Sequence, residues 1–506
     1  MKKIIITCAI FFLAAICFAA VPYTNPILPY DYSDPDVCRV GETYLMTSSS
    51  FNNVPGLQIL VSKDLVHWEL KDAAIRYRLP GYEEGDKVLG NFVWAPSIRE
   101  HDGWLYIFYG DPDRGIYCLR ADISKGLIFP MKWEEPVLVM PGKGFIDPCP
   151  LWDEDGRVWL CHGVAGSRLG LKSVLMMAEL TADALSVKVP SRIIFDGHIA
   201  DPTCEGPKLY KRYGMYYIMH PAGGVKTGWQ VVQRSRNIYG PYEKKVVLSQ
   251  GNTSVNGPHQ GAWIETPGGE NWFIHFQDAG AAGRIVHLQP VKWVKDWPEI
   301  GYNGEPITGL GRLAPGEKTY ANMARRDEFD KPEIGLDWQF PGGKMLPQWY
   351  FCNVFGSYLR LYSAAHTEEL MPNMLLQKIP AVAFTATARV QFVPNKDPKM
   401  QGAEKAGMIV FGRQSFTLEV PVTDEWCYLR LEMNERQQGQ FYIGRKPSDV
   451  SNQSSEQLVW EKTGESFQAV AGYWTGAQVG FFCTRDNRVF NDAGWLDVDW
   501  FEIQYK

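Results

Sequence analysis

The chain has 506 residues, a formal net charge of −6 at pH 7 and 21% charged residues. This length exceeds one ordinary hydrophobic core and predicts two domains. The mild acidity and the lack of a long basic run exclude nucleic acid and anionic membrane surfaces as expected partners.

Residues 1–20 are typical of a secretory signal peptide. Two lysines precede an apolar run over residues 4–15, and small residues follow it. The run is too short to cross a bilayer as a helix, so we expect no transmembrane segment. Export to the periplasm or the cell exterior is therefore predicted. Lipid anchoring at Cys17 is the less favoured alternative, because Ile16 fits a lipobox poorly.

A phrase recurs five times over residues 21–310. Each copy has a proline, a short strand, a turn, and then Gly-x-x-aromatic at the start of a second strand. The copies are roughly 50 to 60 residues apart, a period typical of propeller blades. Proline is tolerated at the first residue of a strand. The sequence therefore predicts a five-bladed antiparallel β-propeller. The five prolines are Pro35, Pro96, Pro148, Pro207 and Pro258.

The repeat stops in residues 311–326, a predicted linker rich in Gly, Pro and charge. Residues 327–506 contain alternating apolar and polar segments with polar turns, which favour a β-sandwich. Phe329 to Trp338 and Trp500 to Ile503 are predicted as its first and last strands, paired with each other. No segment predicts a long amphipathic helix, so the expected fold class is all-β.

The first strand of a propeller blade lines the central channel. The repeat therefore places Asp34, Trp94, Asp147, Glu205 and His259 around one axis. Like charges in a narrow pocket disfavour joint ionisation, so three converging carboxylates are costly unless a site uses them. Glycoside hydrolysis needs such a set, with one carboxylic acid protonated and another carboxylate ionised.

A turn role is the alternative for each of these acids, since Asp-Pro and Glu-Gly-Pro are common turn sequences. Turn preference does not explain why three acids occupy the matching place in three of five repeats. The nearby Asp36, Asp153 and Asp155 fit better as strand or turn residues and are left out of the predicted site.

The chain resembles glycoside hydrolase family 43, the group of five-bladed propellers that includes β-xylosidases and α-L-arabinofuranosidases. Its C-terminal region resembles the lectin-like jelly roll that follows the propeller in xylosidase-like members. Together the two resemblances cover nearly all of the mature chain. The matching phrases are Asn25 to Leu28, Ser33 to Asp36, Ser48 to Phe51, Pro55-Gly56, Ser62 to Leu65, Trp94 to Pro96, Phe145 to Pro148, Glu205 to Pro207 and Gly283-Arg284.

The resemblance implies an inverting glycosidase. Asp34 matches the general base that activates water, and Glu205 matches the general acid. Asp147 matches the third carboxylate, which orients the acid and raises its pKa. The resemblance further implies that the sandwich closes one side of the pocket and favours exo action on terminal sugars.

Four more residues match positions that contact sugar in this family. Phe51 and Trp94 match aromatic walls, with core packing as the alternative. Arg284 matches an arginine that donates to sugar hydroxyls, with a surface charge as the alternative. His259 matches a channel histidine that sometimes holds a calcium ion, directly or through water, with a hydrogen-bonded structural histidine as the alternative. No cofactor is required, and a structural calcium ion in the channel is left open.

The predicted function is exo-acting removal of terminal xylosyl or arabinofuranosyl residues from plant cell-wall glycans. The alternative from another class is a carbohydrate-binding protein without catalysis, which has no need of the carboxylate trio. A fructan-cleaving propeller ranks lower, because the chain lacks the Arg-Asp-Pro of that group. The sequence leaves open the choice between the two sugars, the linkage and the oligomeric state.

Overall fold

A computed structural model describes residues 21–83, 86–313, 317–320, 325–345, 349–352, 356–365, 373–423, 425–446, 458–486, 488 and 492–506. The predicted signal peptide and Cys17 lie outside the described residues. Within them, helix is limited to the four-residue α1 (Gly166–Leu169) and short 3₁₀ turns. No helix in this part has the length and hydropathy needed to cross a bilayer.

After the short β1 (Tyr23–Thr24), five four-stranded antiparallel sheets follow one another, one for each predicted blade. Within every sheet the strands pair in chain order. The strands are β2 (Asp36–Val40), β3 (Thr43–Thr47), β4 (Gly56–Ser62), β5 (Glu69–Ile75), β6 (Trp94–His101), β7 (Trp104–Asp111), β8 (Gly115–Asp122), β9 (Val137–Pro141), β10 (Phe145–Trp152), β11 (Val158–Val164), β12 (Val174–Leu180), β13 (Val187–Asp196), β14 (Lys208–Arg212), β15 (Met215–Ala222), β16 (Trp229–Ser235), β17 (Glu243–Ser249), β18 (His259–Glu265), β19 (Asn271–Asp278), β20 (Arg284–Val294) and β21 (Trp297–Ile300).

The blades form a closed ring. The first strand β2 contacts β6, β6 contacts β10, β10 contacts β14, and β18 returns to contact β2. The two ends of the propeller are joined where β1 pairs antiparallel with β22 (Gly309–Leu310). A further bridge between Leu28 and Val286 holds the N-terminal segment on the fifth blade. Ring closure fixes the channel-facing residues of all blades relative to one another.

Irregular pairing at the repeated prolines aims side chains into the channel. In β6 the register shifts between Trp94 and Ser97, and in β10 it shifts between Ile146 and Cys149. The residues in these gaps include the Ala-Pro and Asp-Pro of the repeat. Proline cannot donate to the ladder, so a bulge accommodates it, and a bulge re-aims the neighbouring side chains. Asp147 lies inside the second of these bulges.

The C-terminal region, from Arg325 onward, consists of two sheets around one apolar core, which confirms the predicted β-sandwich. One sheet has the order β24-β25-β35-β28-β31-β32-β33 with β23 also on β35, and the other has β26-β34-β29-β30 with β27 also on β34. The strands are β23 (Arg325–Asp327), β24 (Tyr350–Cys352), β25 (Leu359–Tyr362), β26 (Ala364–Ala365), β27 (Met374–Lys378), β28 (Phe384–Val393), β29 (Glu404–Phe411), β30 (Phe416–Glu419), β31 (Cys427–Met433), β32 (Gln438–Arg445), β33 (Val459–Gln468), β34 (Gln478–Arg485) and β35 (Trp495–Tyr505).

The predicted first strand from Phe329 to Trp338 is wrong. The strand that comes first in the sandwich is instead β23, which pairs with Phe501 to Ile503 of the last strand. Two of its three residues lie in the stretch predicted as linker. Pro332 and Gly335 interrupt the predicted strand, because proline has no N–H and glycine disfavours extended structure. Phe329 and Trp338 are instead buried in the sandwich core.

The sandwich packs against the first and last blades of the propeller. Phe340 pairs with Val54 in a short bridge, and the Gln339 side chain donates to the Pro55 carbonyl at 2.8 Å. On the fifth blade, the Ala477 N–H donates to the Ala281 carbonyl at 2.6 Å. These contacts lie beside one mouth of the channel, so the sandwich can reach the site described next.

Candidate active site

A cavity of about 220 Å³ opens at the mouth of the propeller channel. The predicted carboxylates come together there, although they are far apart in the sequence. Two predicted aromatic walls and the predicted arginine also line this cavity. The predicted residues that line it are Asp34, Phe51, Trp94, Asp147, Glu205 and Arg284.

Asp34 precedes β2 and is 5% exposed. Its backbone has φ of 55°, in the left-handed region that non-glycine residues adopt mainly at constrained sites. Ser49 Oγ donates to Asp34 Oδ2 at 2.6 Å, and Arg284 Nη1 lies 3.3 Å from Oδ1. Burial raises the pKa of Asp34, and Arg284 and Ser49 oppose that shift. The two donors therefore stabilise the ionised form of a carboxylate that burial alone would neutralise.

Asp147 is 4% exposed and also has a left-handed backbone, with φ of 56°. The Gly206 N–H donates to its Oδ2 at 2.8 Å, which joins the third blade to the turn that follows Glu205. Burial raises the pKa of Asp147 well above its ordinary value, and the neighbouring Glu205 raises it further. Asp147 therefore favours the protonated state more than an exposed aspartate does.

Glu205 lies in the loop before β14, and its side chain is 29% exposed. Its Oε1 is 2.8 Å from Nε2 of His259, whose side chain is fully buried. The His259 imidazole lies tilted against the Phe276 ring, with the two ring centroids 5.5 Å apart. Glu205 thus combines access to the cavity with one fixed hydrogen-bond partner.

His259 differs from its predicted role as a sugar contact. It lies behind Glu205 and does not line the cavity, so its contact is with the acid. Its Nδ1 is buried without a hydrogen-bond partner in the described structure. Calcium prefers oxygen ligands, and no group of three His, Cys, Asp or Glu side chains able to hold a metal occurs among the described residues. The side chains present do not fit a directly ligated calcium ion.

Arg284 begins β20 and is mostly buried, with 12% of its side chain exposed. Its guanidinium contacts Asp34 and lies 4.9 Å from the centroid of Phe276. The carboxylate therefore orients the cation that was predicted to bind sugar hydroxyls. A surface-charge role is excluded by this burial.

Phe51 and Trp94 form the aromatic walls. Phe51 is 3% exposed, has φ of 51°, and is held by backbone bonding with Val93. Trp94 is half-buried, and its Nε1 donates to the Gly90 carbonyl at 2.9 Å. Each residue is therefore partly or fully buried and also forms part of the cavity wall, so the two predicted alternatives both apply.

Sequence reasoning missed Trp474, which comes from the sandwich turn between β33 and β34. It lines the cavity and meets Trp94 edge to face, with centroids 6.0 Å apart. Half of its surface is exposed. No local pattern marks this residue, because its role depends on how the two domains dock.

Sequence reasoning also missed a buried ion cluster below the cavity. Lys208 is 2% exposed and lies 3.6 Å from Asp36, which pairs with Arg99 at 2.5 Å. Lys208 Nζ donates to the Pro96 carbonyl at 2.8 Å. Asp36 was interpreted as an ordinary strand residue. Buried charges persist only when paired, so this cluster ties the first, second and fourth blades together.

The comparisons with known proteins agree with this geometry. The sequence pattern of glycosyl hydrolases family 43 matches residues 23–298. This chain belongs to glycosyl hydrolase family 43. The pattern described as the β-xylosidase C-terminal concanavalin A-like domain matches residues 326–425 and 413–504. The protein is therefore a glycoside hydrolase that acts on a carbohydrate.

Three proteins illustrate the similarity. A protein of Xylanibacter ruminicola named "Putative beta-xylosidase" is 33% identical over 479 residues, 91% of this chain and 86% of its own length. A non-reducing end α-L-arabinofuranosidase of Bacteroides ovatus is 29% identical over 423 residues, 79% of this chain and 75% of its own. The solved xylan β-1,4-xylosidase of Bacillus halodurans has a TM-score of 0.79 at 22% identity, covering 95% of this chain and all of its own. At that identity the last shows the fold alone.

Proposed function

We propose that this family 43 protein is an exported, exo-acting glycosidase that removes terminal xylosyl or arabinofuranosyl residues from plant cell-wall glycans with inversion. The observation that carries the proposal is the convergence of Asp34, Asp147 and Glu205, from three blades, on one small cavity. Carboxylates in contrasting environments divide into acid and base roles.

In the proposed reaction, ionised Asp34 takes a proton from a water molecule as the water oxygen bonds to the anomeric carbon. Glu205 donates its proton to the glycosidic oxygen as the bond between that oxygen and the anomeric carbon breaks. The Ser49 and Arg284 contacts keep Asp34 ionised and oriented. An inverting course requires the two carboxyls to be roughly 6.5–9.5 Å apart, with the water between Asp34 and the sugar.

Asp147 is proposed as a positioning residue for Glu205. Its contact with the Gly206 N–H fixes the backbone next to the acid. Burial raises the pKa of Asp147, and the neighbouring Glu205 raises it further. The role in modulating the proton affinity of the acid stays a prediction. No step uses a metal ion.

Exo action is supported by the size of the cavity and by its walls. About 220 Å³ is below the range of roughly 300–1,000 Å³ that accommodates larger ligands, and it suits a single sugar unit. Trp474 of the sandwich forms one wall. The names of the relatives quoted above support xylose and arabinofuranose as the two candidate terminal sugars.

The test is a panel of 4-nitrophenyl glycosides with the product anomer followed by NMR. We expect release of free xylose, arabinose or both, with the first-formed anomer inverted. Asp34→Ala and Glu205→Ala should each lose at least about a thousandfold in kcat/KM while remaining folded. Asp155→Ala, an exposed turn carboxylate, is the matched control and should keep wild-type activity.

Wild-type turnover in either cavity variant would overturn the assignment of that residue. A first-formed anomer with retained configuration would overturn the inverting course. Binding of xylan and arabinan oligosaccharides without turnover by the wild type would favour the carbohydrate-binding alternative.

A further inference from the structure

A second depression of about 800 Å³ lies next to the catalytic cavity. We call it the cationic groove; it is formed by residues 86–87, 89–91, 113–114, Lys143, 167–168 and 473–474. Trp474 lines both spaces. A substrate chain that leaves the catalytic cavity past this shared wall therefore enters the groove.

The wall between the two spaces is aromatic and firmly supported. Arg168 of α1 lies 5.7 Å from the centroid of Trp94, and its Nη2 donates to Asn91 Oδ1 at 2.7 Å. Tyr473 and Trp474 are 49% and 50% exposed. Exposed aromatic faces beside a sugar pocket provide stacking surfaces for further sugar units. A Cβ on Gly90 would come within 2.8 Å of Tyr473, so the glycine lets the sandwich turn rest on the propeller.

Positively charged side chains outnumber carboxylates in the cationic groove. Asp113 accepts from Arg168 at 3.0 and 3.3 Å. Asp86 accepts from Arg114 at 2.6 Å. The two groove carboxylates are therefore occupied by arginines. Lys87 and Lys143 also line the groove, and among the described residues neither ammonium group has a hydrogen bond or an ion pair with a side chain.

We propose that the cationic groove binds the leaving-group side of the substrate and selects one that bears a sugar carboxylate, a uronic acid branch next to the scissile bond. This inference rests on the proposed function and adds the substrate class. Lysines that pair with no described carboxylate, placed beside an aromatic platform, attract a sugar carboxylate, whereas a neutral chain leaves them solvated.

The experiment compares two oligosaccharides that share the terminal sugar identified by the aryl-glycoside panel. One carries a glucuronosyl branch on the residue after the scissile bond, and the other is unbranched. We expect the wild type to favour the branched substrate about threefold to tenfold in kcat/KM at low salt, and less at 0.5 M NaCl, because salt screens exposed charges.

The variant Lys87→Gln/Lys143→Gln should bring the ratio of the two kcat/KM values close to one. Lys245→Gln, an exposed lysine on β17, is the control and should leave the ratio as in the wild type. A wild-type ratio of one or below would overturn the inference, as would a ratio that the double variant does not change. Failure to cleave either oligosaccharide would instead contradict the proposed function.

Discussion

The Asp31 carboxylate of the propeller accepts a hydrogen bond from the Gly476 N–H of the sandwich at 2.8 Å. Its other oxygen accepts from Ser33 Oγ and from the Arg284 N–H, both at 2.9 Å. A single buried side chain therefore connects the residue before Asp34, the backbone of the arginine that contacts Asp34, and the turn that presents Trp474.

Asp31→Asn tests this connection. The amide oxygen can keep the contacts to Ser33 and Arg284, but the amide NH₂ then faces the Gly476 N–H, two donors against each other. We expect KM to rise about threefold to tenfold with a smaller change in kcat, because the Trp474 wall loosens while the carboxylates stay in place. Steady-state kinetics on an aryl glycoside measures this.

A double-mutant cycle tests whether Asp31→Asn changes KM through Trp474. In a Trp474→Ala background, Asp31→Asn should change KM little, since the wall is already lost. Fully additive effects would contradict the connection. Asp64→Asn is the control, because it alters another hydrogen-bonded carboxylate in the turn between β4 and β5 and should leave KM unchanged.

Glu205→Gln should reveal the role of the acid through its dependence on the leaving group. We expect a loss of about 10²–10⁴ in kcat/KM for glycosides with poor leaving groups. The loss should be much smaller for a 2,4-dinitrophenyl glycoside, whose leaving oxygen needs no proton. An equal loss for all leaving groups would argue against a general acid. Glu270→Gln, at an exposed turn, is the control.

Ser49→Ala should move the acid limb of the kcat/KM profile to higher pH. The hydroxyl lowers the pKa of Asp34 by donating to the ionised form, opposing the larger effect of burial. Without this hydroxyl, Asp34 protonates at a higher pH. The acid limb of the kcat/KM profile should therefore move up by about 1 pH unit. Ser49→Thr keeps the hydroxyl and should restore the limb. Ser48→Ala alters the buried neighbouring serine and should not move it.

Asp147→Asn should stabilise the fold while it impairs activity. Burial and Glu205 raise the folded-state pKa of Asp147 above its unfolded value, so its contribution to stability is present at low pH and lost as pH rises through the folded pKa. The neutral amide avoids this loss. We expect the variant to unfold about 1–3 °C above the wild type at neutral pH, with the difference vanishing near pH 4.

Asp153→Asn, in the same blade as Asp147→Asn, should change the melting temperature in the opposite direction. Burial acts to raise the pKa of Asp153, but hydrogen bonds from Lys211 and Tyr216 lower it overall. Its ionised form therefore stabilises the fold, and the amide should lower the melting temperature at neutral pH. Thermal unfolding of both variants between pH 4 and pH 8 checks the pair. A destabilised Asp147→Asn at neutral pH would contradict the assignment.

The repeat was sufficient to predict which carboxylates meet, because the blades impose a common register on Asp34, Asp147 and Glu205. It was insufficient for His259, whose ring direction depends on packing against Phe276 in its own blade. Trp474 and Asp31 were missed because their contacts join segments near opposite ends of the chain, 445 residues apart for Asp31 and Gly476, where no local period exists.

Strand prediction in the sandwich failed for a related reason. Phe329 and Trp338 carry the apolar character of a strand, but they enter the core from a turn, and the Trp338 indole donates to Asp327 at 2.8 Å. The short β23 has little apolar character of its own. Its pairing with β35 comes from the docked position of the last strand.

The turn that carries Trp474 belongs to the sandwich, whereas the cavity carboxylates belong to the propeller. The ring of blades holds the three cavity carboxylates, whereas residues 469–477, the connection between β33 and β34, supply one wall of the cavity. Surface connections accept insertions and deletions more readily than the strands that they join. Sequence changes confined to this turn would therefore alter the wall of the cavity, and with it the choice of carbohydrate, while the three carboxylates stay in place.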